Sequence, residues 1–481
     1  MTDFIRCYPF SSKLAFSLQA QIHLCHSGLI NHMLPHSFKD KKVCIVGLGY
    51  VGLTLAVAMA DAGFQVHGVE VDEHILACLA EERAHFSEIG LNERLSAQIQ
   101  RGAMTFAGQI EQDADTTVYI VTVGTPVKAD KKTNYASFTA VMNGISTVLK
   151  PNDMVILRST VRVGVTKELA KPILDKVGVP YDLAFCPERT LEGKALLELR
   201  TLPQVVGGVD EQSTFRASQI FAFLTPSIMK VSNAETAEMV KLINNTQRDM
   251  MFAFANEVAE MCDTLGISAQ EVISSGNLGY PRANLPYPGP VGGPCLEKDP
   301  YILAEGLENH GFRPGLALAG RLWNEGIPER SVARMKADLS ERGNANPARI
   351  AILGSAFKGR PETDDLRGSP VIAIIEELRK AFPNSELVAW DPIVSSANLA
   401  SLGLKPLDTV EEAFEGAGLV VLQNNHVALE RLKLPKLGAL MEAPGLIYDF
   451  WHQHTLLRRS ELPEGIRYSA LGAFNYNGDN H

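Results

Sequence analysis

Three features of the sequence predict an α/β protein in which two doubly wound domains are joined by a central helical domain with one long helix. A short apolar run, Lys42-Val-Cys-Ile-Val, enters a turn that contains Gly47, Gly49 and Gly52. A helical pattern then runs without interruption from about Asn233 to Leu265. Past the polar segment Glu341-Arg-Gly-Asn-Ala-Asn-Pro, a strand and glycine recur in Arg349-Ile-Ala-Ile-Leu-Gly. At 481 residues the chain exceeds what one core organises. The expected division is an N-terminal extension over 1–40, a Rossmann-like domain over 41–230, a helical domain over 231–330 and a second Rossmann-like domain over 331–481.

Composition narrows the classes open to it. Hydrophobic content of 46% and charged content of 21% are those of an ordinary globular protein. A net charge of −10 and the lack of a long basic run argue against a nucleic-acid partner. The seven cysteines (Cys7, Cys25, Cys44, Cys78, Cys186, Cys262, Cys295) are scattered and form no CxxC pair. Neither a disulfide framework nor a metal site is indicated, which fits a reducing, cytoplasmic setting. No apolar run is long enough to span a membrane.

The extension carries Arg6 and Lys13 ahead of Leu14 to Phe38, a stretch with no charged residue apart from histidines. It is similar to a poor signal peptide, but Gln19, Gln21, His23 and His26 break up any apolar region. The favoured expectation is an unstructured extension, or an upstream start codon with Met33 as the true start.

In the first domain, the glycine turn leads to a helix from about Leu53 to Ala62 and a strand from Gln65 to Val71 carrying Glu70. Dinucleotides use this strand–turn–helix–strand–acid arrangement. Gly47 permits the tight turn, Gly49 admits a pyrophosphate, and Gly52 lets the helix pack on the strand. The helix start, at Tyr50 and Val51, then faces the phosphates. A carboxylate at Glu70 accepts from ribose hydroxyls and repels a 2′-phosphate, so NAD is favoured over NADP. The plain alternative is a glycine-rich turn without function. Strands over Thr117–Val123, Met154–Arg158 and Leu183–Cys186 each end in turn residues. The carboxyl ends of such strands line the ligand crevice, which makes Thr125, Thr160 and Glu188 candidates by position. Ser159 or Thr160 capping the following helix is the structural alternative.

On the long helix, Lys241 and Asn245 are four apart and share a face, so both can point at one ligand oxygen. An exposed lysine and a mid-helix asparagine would be commoner in an arbitrary helix. A helix of this length joins domains or builds an oligomer interface. Tyr280-Pro281-Arg282 leads to Gly289-Pro-Val-Gly-Gly-Pro-Cys-Leu-Glu-Lys-Asp-Pro300, where five Gly or Pro residues precede Cys295. This is expected to deliver the thiol on a bare loop, with Lys298 favouring a thiolate and Asp299 orienting water. Most lone cysteines are simply small buried hydrophobes. In the second domain, a helix over Pro370–Arg379 and strands over Leu387–Trp390 and Gly418–Leu422 follow the first strand. The loop after that strand lacks GxGxxG but holds Lys358, Asp364, Asp365 and Arg367. Lys358 and Arg367 suit a phosphate; a solvated charged loop is the alternative.

Five segments in order carry a resemblance: Gly47-Leu-Gly-Tyr-Val-Gly-Leu, Cys186-Pro-Glu-Arg, Ala237-Glu-Met-Val-Lys-Leu-Ile-Asn-Asn, Gly292-Gly-Pro-Cys-Leu-Glu-Lys-Asp, and Ala356-Phe-Lys with Asp364-Asp-Leu-Arg-Gly-Ser-Pro. From about Lys41 onward the chain resembles the UDP-glucose/GDP-mannose dehydrogenase family of nucleotide-sugar 6-dehydrogenases. The resemblance implies a four-electron oxidation of a sugar C6 alcohol to a carboxylate with two NAD. Cys295 resembles the family's nucleophile, which captures the aldehyde as a thiohemiacetal and then holds a thioester. Glu188 resembles the general base of thioester hydrolysis. Lys241 and Asn245 match the oxyanion-stabilising pair, and Asp299 with Thr160 looks like the group that positions water. Arg189, Lys241, Asn245, Lys358 and Arg367 are the implied substrate contacts, with Arg282 reaching the sugar nucleotide of a neighbouring subunit. The chemistry is consistent with this assignment: sulfur retains the aldehyde, a lysine and an amide hold its oxyanion, and hydrolysis needs a base near water.

Departures from the family pattern are Pro294 before the cysteine, Glu70 in place of the commoner aspartate, and Val123-Gly-Thr-Pro for Pro-Thr-Pro. The segment Cys186-Pro-Glu-Arg-Thr-Leu-Glu-Gly-Lys-Ala, together with Tyr280-Pro-Arg, is similar to the branch acting on UDP-N-acetylhexosamines. The implied substrate is UDP-N-acetylmannosamine or UDP-N-acetylglucosamine, feeding surface-polysaccharide synthesis, with UDP-glucose or GDP-mannose as alternatives. A homodimer or higher oligomer through the central helix is expected. Two other readings are a two-electron β-hydroxyacid-type dehydrogenase, which needs neither Cys295 nor the second nucleotide domain, and a non-catalytic binding module, which needs no such set of reactive residues.

Overall fold

The computed structural model describes residues 34–473 except 36, 114 and 309, so the expectations for the extension through residue 33, with Cys7 and Cys25, lie outside the described residues. The first sheet is built from β1 (Lys42–Val46), β2 (Gln65–Val69), β3 (Met104–Ala107), β4 (Val118–Val121), β5 (Asp153–Leu157), β6 (Tyr181–Phe185), β7 (Gln204–Gly208) and β8 (Ile228–Lys230). Their order is β3-β2-β1-β4-β5-β6-β7-β8, and only β6 and β7 pair antiparallel. Val118-Tyr-Ile-Val and Asp153-Met-Val-Ile-Leu are buried at every residue, as parallel strands covered on both faces must be. One apolar cluster around Leu53, Val57 and Phe64 covers one face, and another around Phe138, Met142 and Leu174 covers the other.

The second sheet comprises β9 (Arg349–Leu353), β10 (Glu386–Trp390), β11 (Lys405–Pro406), β12 (Leu419–Leu422), β13 (Gly445–Asp449) and β14 (Ile466–Ala470), all parallel in the order β11-β10-β9-β12-β13-β14. Each sheet reverses its winding beside its first strand, between β1 and β4 and between β9 and β12. Ligand crevices of doubly wound sheets open at such points.

The first turn is fixed by glycine chemistry. Gly47 has φ +92°, and a Cβ on Gly52 would lie 1.8 Å from the Gly47 carbonyl oxygen. Helix α1 (Tyr50–Asp61) begins three residues earlier than expected, because the bare Gly49 backbone serves as its N-cap. Strand β2 stops two residues earlier than expected. The Glu70 carboxylate turns back to accept from the backbone N–H of Leu48 (2.8 Å), Val71 (2.8 Å) and Asp72 (3.1 Å), which ends the extended run.

The sheets are joined by α2 (Ala234–Leu265), of 32 residues. Asn233 caps its start by accepting from the Thr236 N–H at 2.8 Å, and Gly266 ends it at φ +70°. Ala234 and Ala237 belong to a core cluster of the first sheet, whereas Ala259 and Cys262 belong to one of the second. One rigid element therefore enters both cores. Against it pack α3 (Gly293–Leu296), α4 (Asp299–Glu308) and α5 (Gly315–Glu325), and α6 (Ile327–Glu341) leads to the second sheet, on which α7 (Pro370–Ala381) lies.

Gly52→Ala forces the β1–α1 turn open and is expected to cost about 3 kcal/mol of stability. Gly49→Ala meets nothing within 4 Å, so its cost stays below about 1 kcal/mol. Urea denaturation of the two variants checks this contrast.

Candidate active site

The loop after β6 and the turn of α3 lie against α2, and the loop after β9 meets both. In the first, Pro187 follows the strand and Glu188 is buried beside Arg158. Its carboxylate accepts from Arg158 Nη2 at 2.6 Å and from the Thr190 N–H. Arg158 also donates to Gln204 Oε1 (2.8 Å) and to the Cys186 carbonyl (3.1 Å). Burial pushes the Glu188 carboxyl up, but the charges of Arg158 and Lys241 and the Thr190 N–H outweigh it and hold the group at about 2. Glu188 is thus a clamped anion and a weak base.

Lys241 Nζ donates to the Glu188 main-chain carbonyl at 2.5 Å, and Asn245 Nδ2 donates to Asp299 Oδ2 at 2.6 Å. The two share a face as expected, yet each is held by its own acceptor. Asp299 is fully buried and pairs through Oδ1 with Lys298 Nζ at 3.2 Å.

Cys295 does not stand on a bare loop; it lies in α3, a single turn entered through Gly293 at φ +87°. The glycines are required by what faces them. A Cβ on Gly293 would lie 2.5 Å from the Phe357 ring, and one on Gly292 would lie 2.2 Å from the Gly368 carbonyl oxygen. The Gly293 N–H donates to that same carbonyl at 2.7 Å. Lys298, expected to favour the thiolate, is instead committed to Asp299. Two cations of the loop after β9, Lys358 and Arg367, lie within electrostatic range of Cys295. Among the described cysteines only Cys295 is half-buried. Burial pushes the thiols of Cys44 and Cys186 up to about 12, which leaves them inert.

Lys358 Nζ donates to the Glu192 carbonyl at 2.7 Å, and burial pushes this lysine below the ordinary range. Arg367 is bound edge-on to Asp365, at 2.6–3.0 Å. Glu192, which the sequence reading did not single out, links the loop after β6 to the loop after β9. Its Oε1 accepts from Thr363 Oγ1 at 2.7 Å, and burial pushes its carboxyl up. The available signal was a second acid four residues after Glu188, at the glycine of the same loop.

The turn after β1 fits a dinucleotide. The N-terminus of α1 carries no side-chain cap, its first turn, with Val51, holds no acid, and the space over Gly49 is open. Glu70 stands at the end of β2 beside it. The Tyr50 hydroxyl is engaged elsewhere: it donates to Glu88 and accepts from the Gly193 N–H at 2.9 Å. Thr125 donates its hydroxyl to the Thr160 carbonyl, which ties the loops after β4 and β5 together. The other two expected substrate contacts are Arg189, beside Glu188, and Arg282. Arg189 donates to the Pro203 carbonyl, and Arg282 stacks on the Tyr280 ring beside a separate groove of about 400 Å³ that also touches Phe254, Val258, Ile273 and Leu285. Among the described residues no helix is long and apolar enough to cross a membrane, and no three His, Cys, Asp or Glu are grouped to hold a metal.

Known proteins share this arrangement. Residues 41–225 match the NAD binding domain of the UDP-glucose/GDP-mannose dehydrogenase family, residues 235–326 its central domain and residues 351–455 its UDP binding domain. A UDP-N-acetyl-D-mannosamine dehydrogenase of Methanococcus aeolicus is 32% identical over 389 residues, which cover 80% of this chain and 84% of that protein. One of the same name from Yersinia pestis is 32% identical over 81% of this chain and 95% of its own length. The solved structure of a UDP-D-ManNAc dehydrogenase from Pyrococcus horikoshii superposes with a TM-score of 0.80 at 28% identity, covering 90% of this chain and 100% of that one. The matches follow the order of first sheet, long helix and second sheet, and the chain belongs to the UDP-glucose/GDP-mannose dehydrogenase family of NAD-dependent nucleotide-sugar dehydrogenases.

Proposed function

We propose that the protein oxidises the C6 alcohol of UDP-N-acetylmannosamine to the carboxylate by a four-electron route through Cys295. The observation that carries this reading is a half-buried thiol four residues before Asp299, which Asn245 holds, and within electrostatic range of Lys358 and Arg367. The names of the similar proteins favour N-acetylmannosamine over N-acetylglucosamine. A uronate formed in this way suits surface-polysaccharide synthesis.

NAD, when bound at the β1–α1 turn, supplies the hydride acceptor for each of the two oxidations. Lys358 and Arg367 offer cationic donors to the diphosphate. The Cys295 thiolate adds to the C6 aldehyde, forming the C–S bond and leaving a negative charge on O6. Lys241 and Asn245, four apart on α2, supply donors for that oxyanion. Once the second hydride has left, C6 is a thioester. Water adds to it, the C–S bond breaks, the sulfur leaves as thiolate and the sugar leaves as carboxylate. One water enters, and two hydrides and three protons depart per sugar. Asp299, held by Asn245, and Thr160 are suited to orienting the water. The base for this step is better supplied by Glu192 than by Glu188. Glu188 is fixed as an anion by Arg158, whereas burial raises Glu192 toward working pH.

The outer face of the central domain supports a homo-oligomer. Phe254 on α2 is 54% exposed and shares a groove with Val272, and Leu278 is 85% exposed. A second copy packed there would bring Arg282 to its neighbour.

Counting NADH per sugar tests the reaction. Two NADH per UDP-N-acetylmannosamine are expected, with UDP-N-acetylglucosamine, UDP-glucose and GDP-mannose slower. Cys295→Ala should form no uronate; a variant that still makes it at the normal rate removes the thioester route. In Glu192→Gln, two NADH per active site should form in one burst and then stall as thioester, whereas Glu188→Gln should not stall there. Because Glu192 must be deprotonated to act and its pKa is raised, hydrolysis should fail as pH falls through a value above the ordinary glutamate range. A rate-against-pH profile of uronate release locates that limb. Phe254→Glu should shift the protein toward monomer in light scattering; an unchanged mass rejects this interface.

A further inference from the structure

The turn that carries Cys295 rests on a buried polar network that none of the proposed chemistry uses. Asp249 and Asn256 project from α2, and Arg321 and Asn324 from α5. All four are at most 2% exposed. Asp249 Oδ1 accepts from Arg321 Nη1 at 2.7 Å and from Asn324 Nδ2 at 2.9 Å. Asn324 Oδ1 in turn accepts from Asn256 Nδ2 at 2.9 Å.

The chain of contacts ends on the cysteine segment at three places. Asn256 pairs with both backbone groups of Gly289, accepting from its N–H at 2.8 Å and donating to its carbonyl at 3.1 Å. Arg321 donates to the Val291 carbonyl at 3.3 Å and to the Leu296 carbonyl at 3.1 Å. One guanidinium thus grips the backbone four residues before the thiol and one residue after it. From the opposite side the segment is pressed by Phe357, Gly368 and Trp451, each of which a Cβ on Gly293, Gly292 or Gly289 would strike.

We propose that Arg321, held by Asp249, is a positioning residue for Cys295. Its planar fork reaches two carbonyls on either side of the sulfur, and thereby sets where the thiol stands relative to the donors that Lys241 and Asn245 present from the same helix. A lysine carries the charge but offers a single point and cannot span both carbonyls. Arg321 touches neither sugar nor cofactor; it acts only through the backbone. The inference rests on the reading of Cys295 as the nucleophile.

That reading makes the test specific, since the first hydride leaves C6 before sulfur is needed and the second leaves a sulfur-bound carbon. With enzyme in excess over UDP-N-acetylmannosamine, the two NADH equivalents can be followed separately. In Arg321→Gln and in Arg321→Lys the first should form at close to the wild-type rate, and the second should slow about 100-fold, the scale of a misplaced reacting group. Asn256→Ala, which removes no charge, should slow the second by about 10-fold and carries the test should Arg321→Gln not fold. Independently of turnover, iodoacetamide should alkylate Cys295 faster in these variants, as read by peptide mass. Equal slowing of both equivalents marks a merely structural role and overturns the proposal, as does a wild-type second step in Arg321→Lys or in Asn256→Ala. Failure of the underlying reading is distinguishable, because Cys295→Ala would then complete both oxidations with Arg321 in place.

Discussion

The structure depends on a polar stripe, buried except at half-buried Asn245, along one side of α2. Glu238, Lys241, Asn245, Asp249, Asn256 and Asp263 recur every three or four residues, or at twice that interval, and so share a face. A helix in water would leave such groups hydrated. Here other segments cover them, and a buried polar group without a partner is costly, so each recruits its own. Glu238 accepts from the Gly164 and Thr166 N–H groups (2.6 and 2.9 Å), Lys241 meets the loop after β6, and Asn245 meets the start of α4. Asp249 and Asn256 meet α5 and the cysteine segment, and Asp263 meets Arg334 and the Gly472 N–H beyond β14. The order of partners along the helix is the order in which the domains assemble on it.

This explains which parts of the site were legible in the sequence. The β1 run with Gly47 and Gly52, the restart at Arg349 and the span of α2 are local patterns, and local patterns determined them. Cys295, Lys241, Asn245 and Asp299 could be singled out by their motifs, and the fold joins Asn245 to Asp299 and Lys241 to the loop of Glu188. The partners of the stripe were not legible. Asp249 and Arg321 are 72 residues apart, and a polar position in a helical pattern reads as solvent-facing until other domains are packed against it. For the same reason Glu192 was overlooked: its significance lies in Thr363 and Lys358, which come from the other sheet. Tyr50 and Arg189 were read from their place in a motif; that the Tyr50 hydroxyl meets Glu88 and an Arg189 nitrogen the Pro203 carbonyl is set by the fold and not by the motif.

Environment also separates groups that look alike in sequence. Two glutamates in one loop diverge because Glu188 faces the Arg158 guanidinium, whereas burial dominates at Glu192. The cysteines diverge in the same way: Cys186, directly before the Pro-Glu-Arg segment, is sealed in the first core, and Cys295 stands half-buried where the second sheet supplies cations. The surroundings of Cys295 therefore draw on the second sheet, since Lys358 and Arg367 come from its switch-point loop.

The Asp249–Arg321 pair shows why such a network would be present at all. A buried ion pair is weak evidence for stability, because desolvating two charges offsets most of their attraction, and well-packed apolar residues in the same volume often do as well. Apolar replacements here would fill the space between α2 and α5. They would also leave the Val291 and Leu296 carbonyls without the donor that holds them. Cohesion is thus the part of the pair's role that packing can replace, and direction is the part it cannot. In a segment built of Gly289, Pro290, Gly292, Gly293 and Pro294, few side chains are available to lock the backbone from within. Its geometry has to be imposed from below by hydrogen bonds and from above by contact with Phe357 and Trp451, and the sulfur stands between the two.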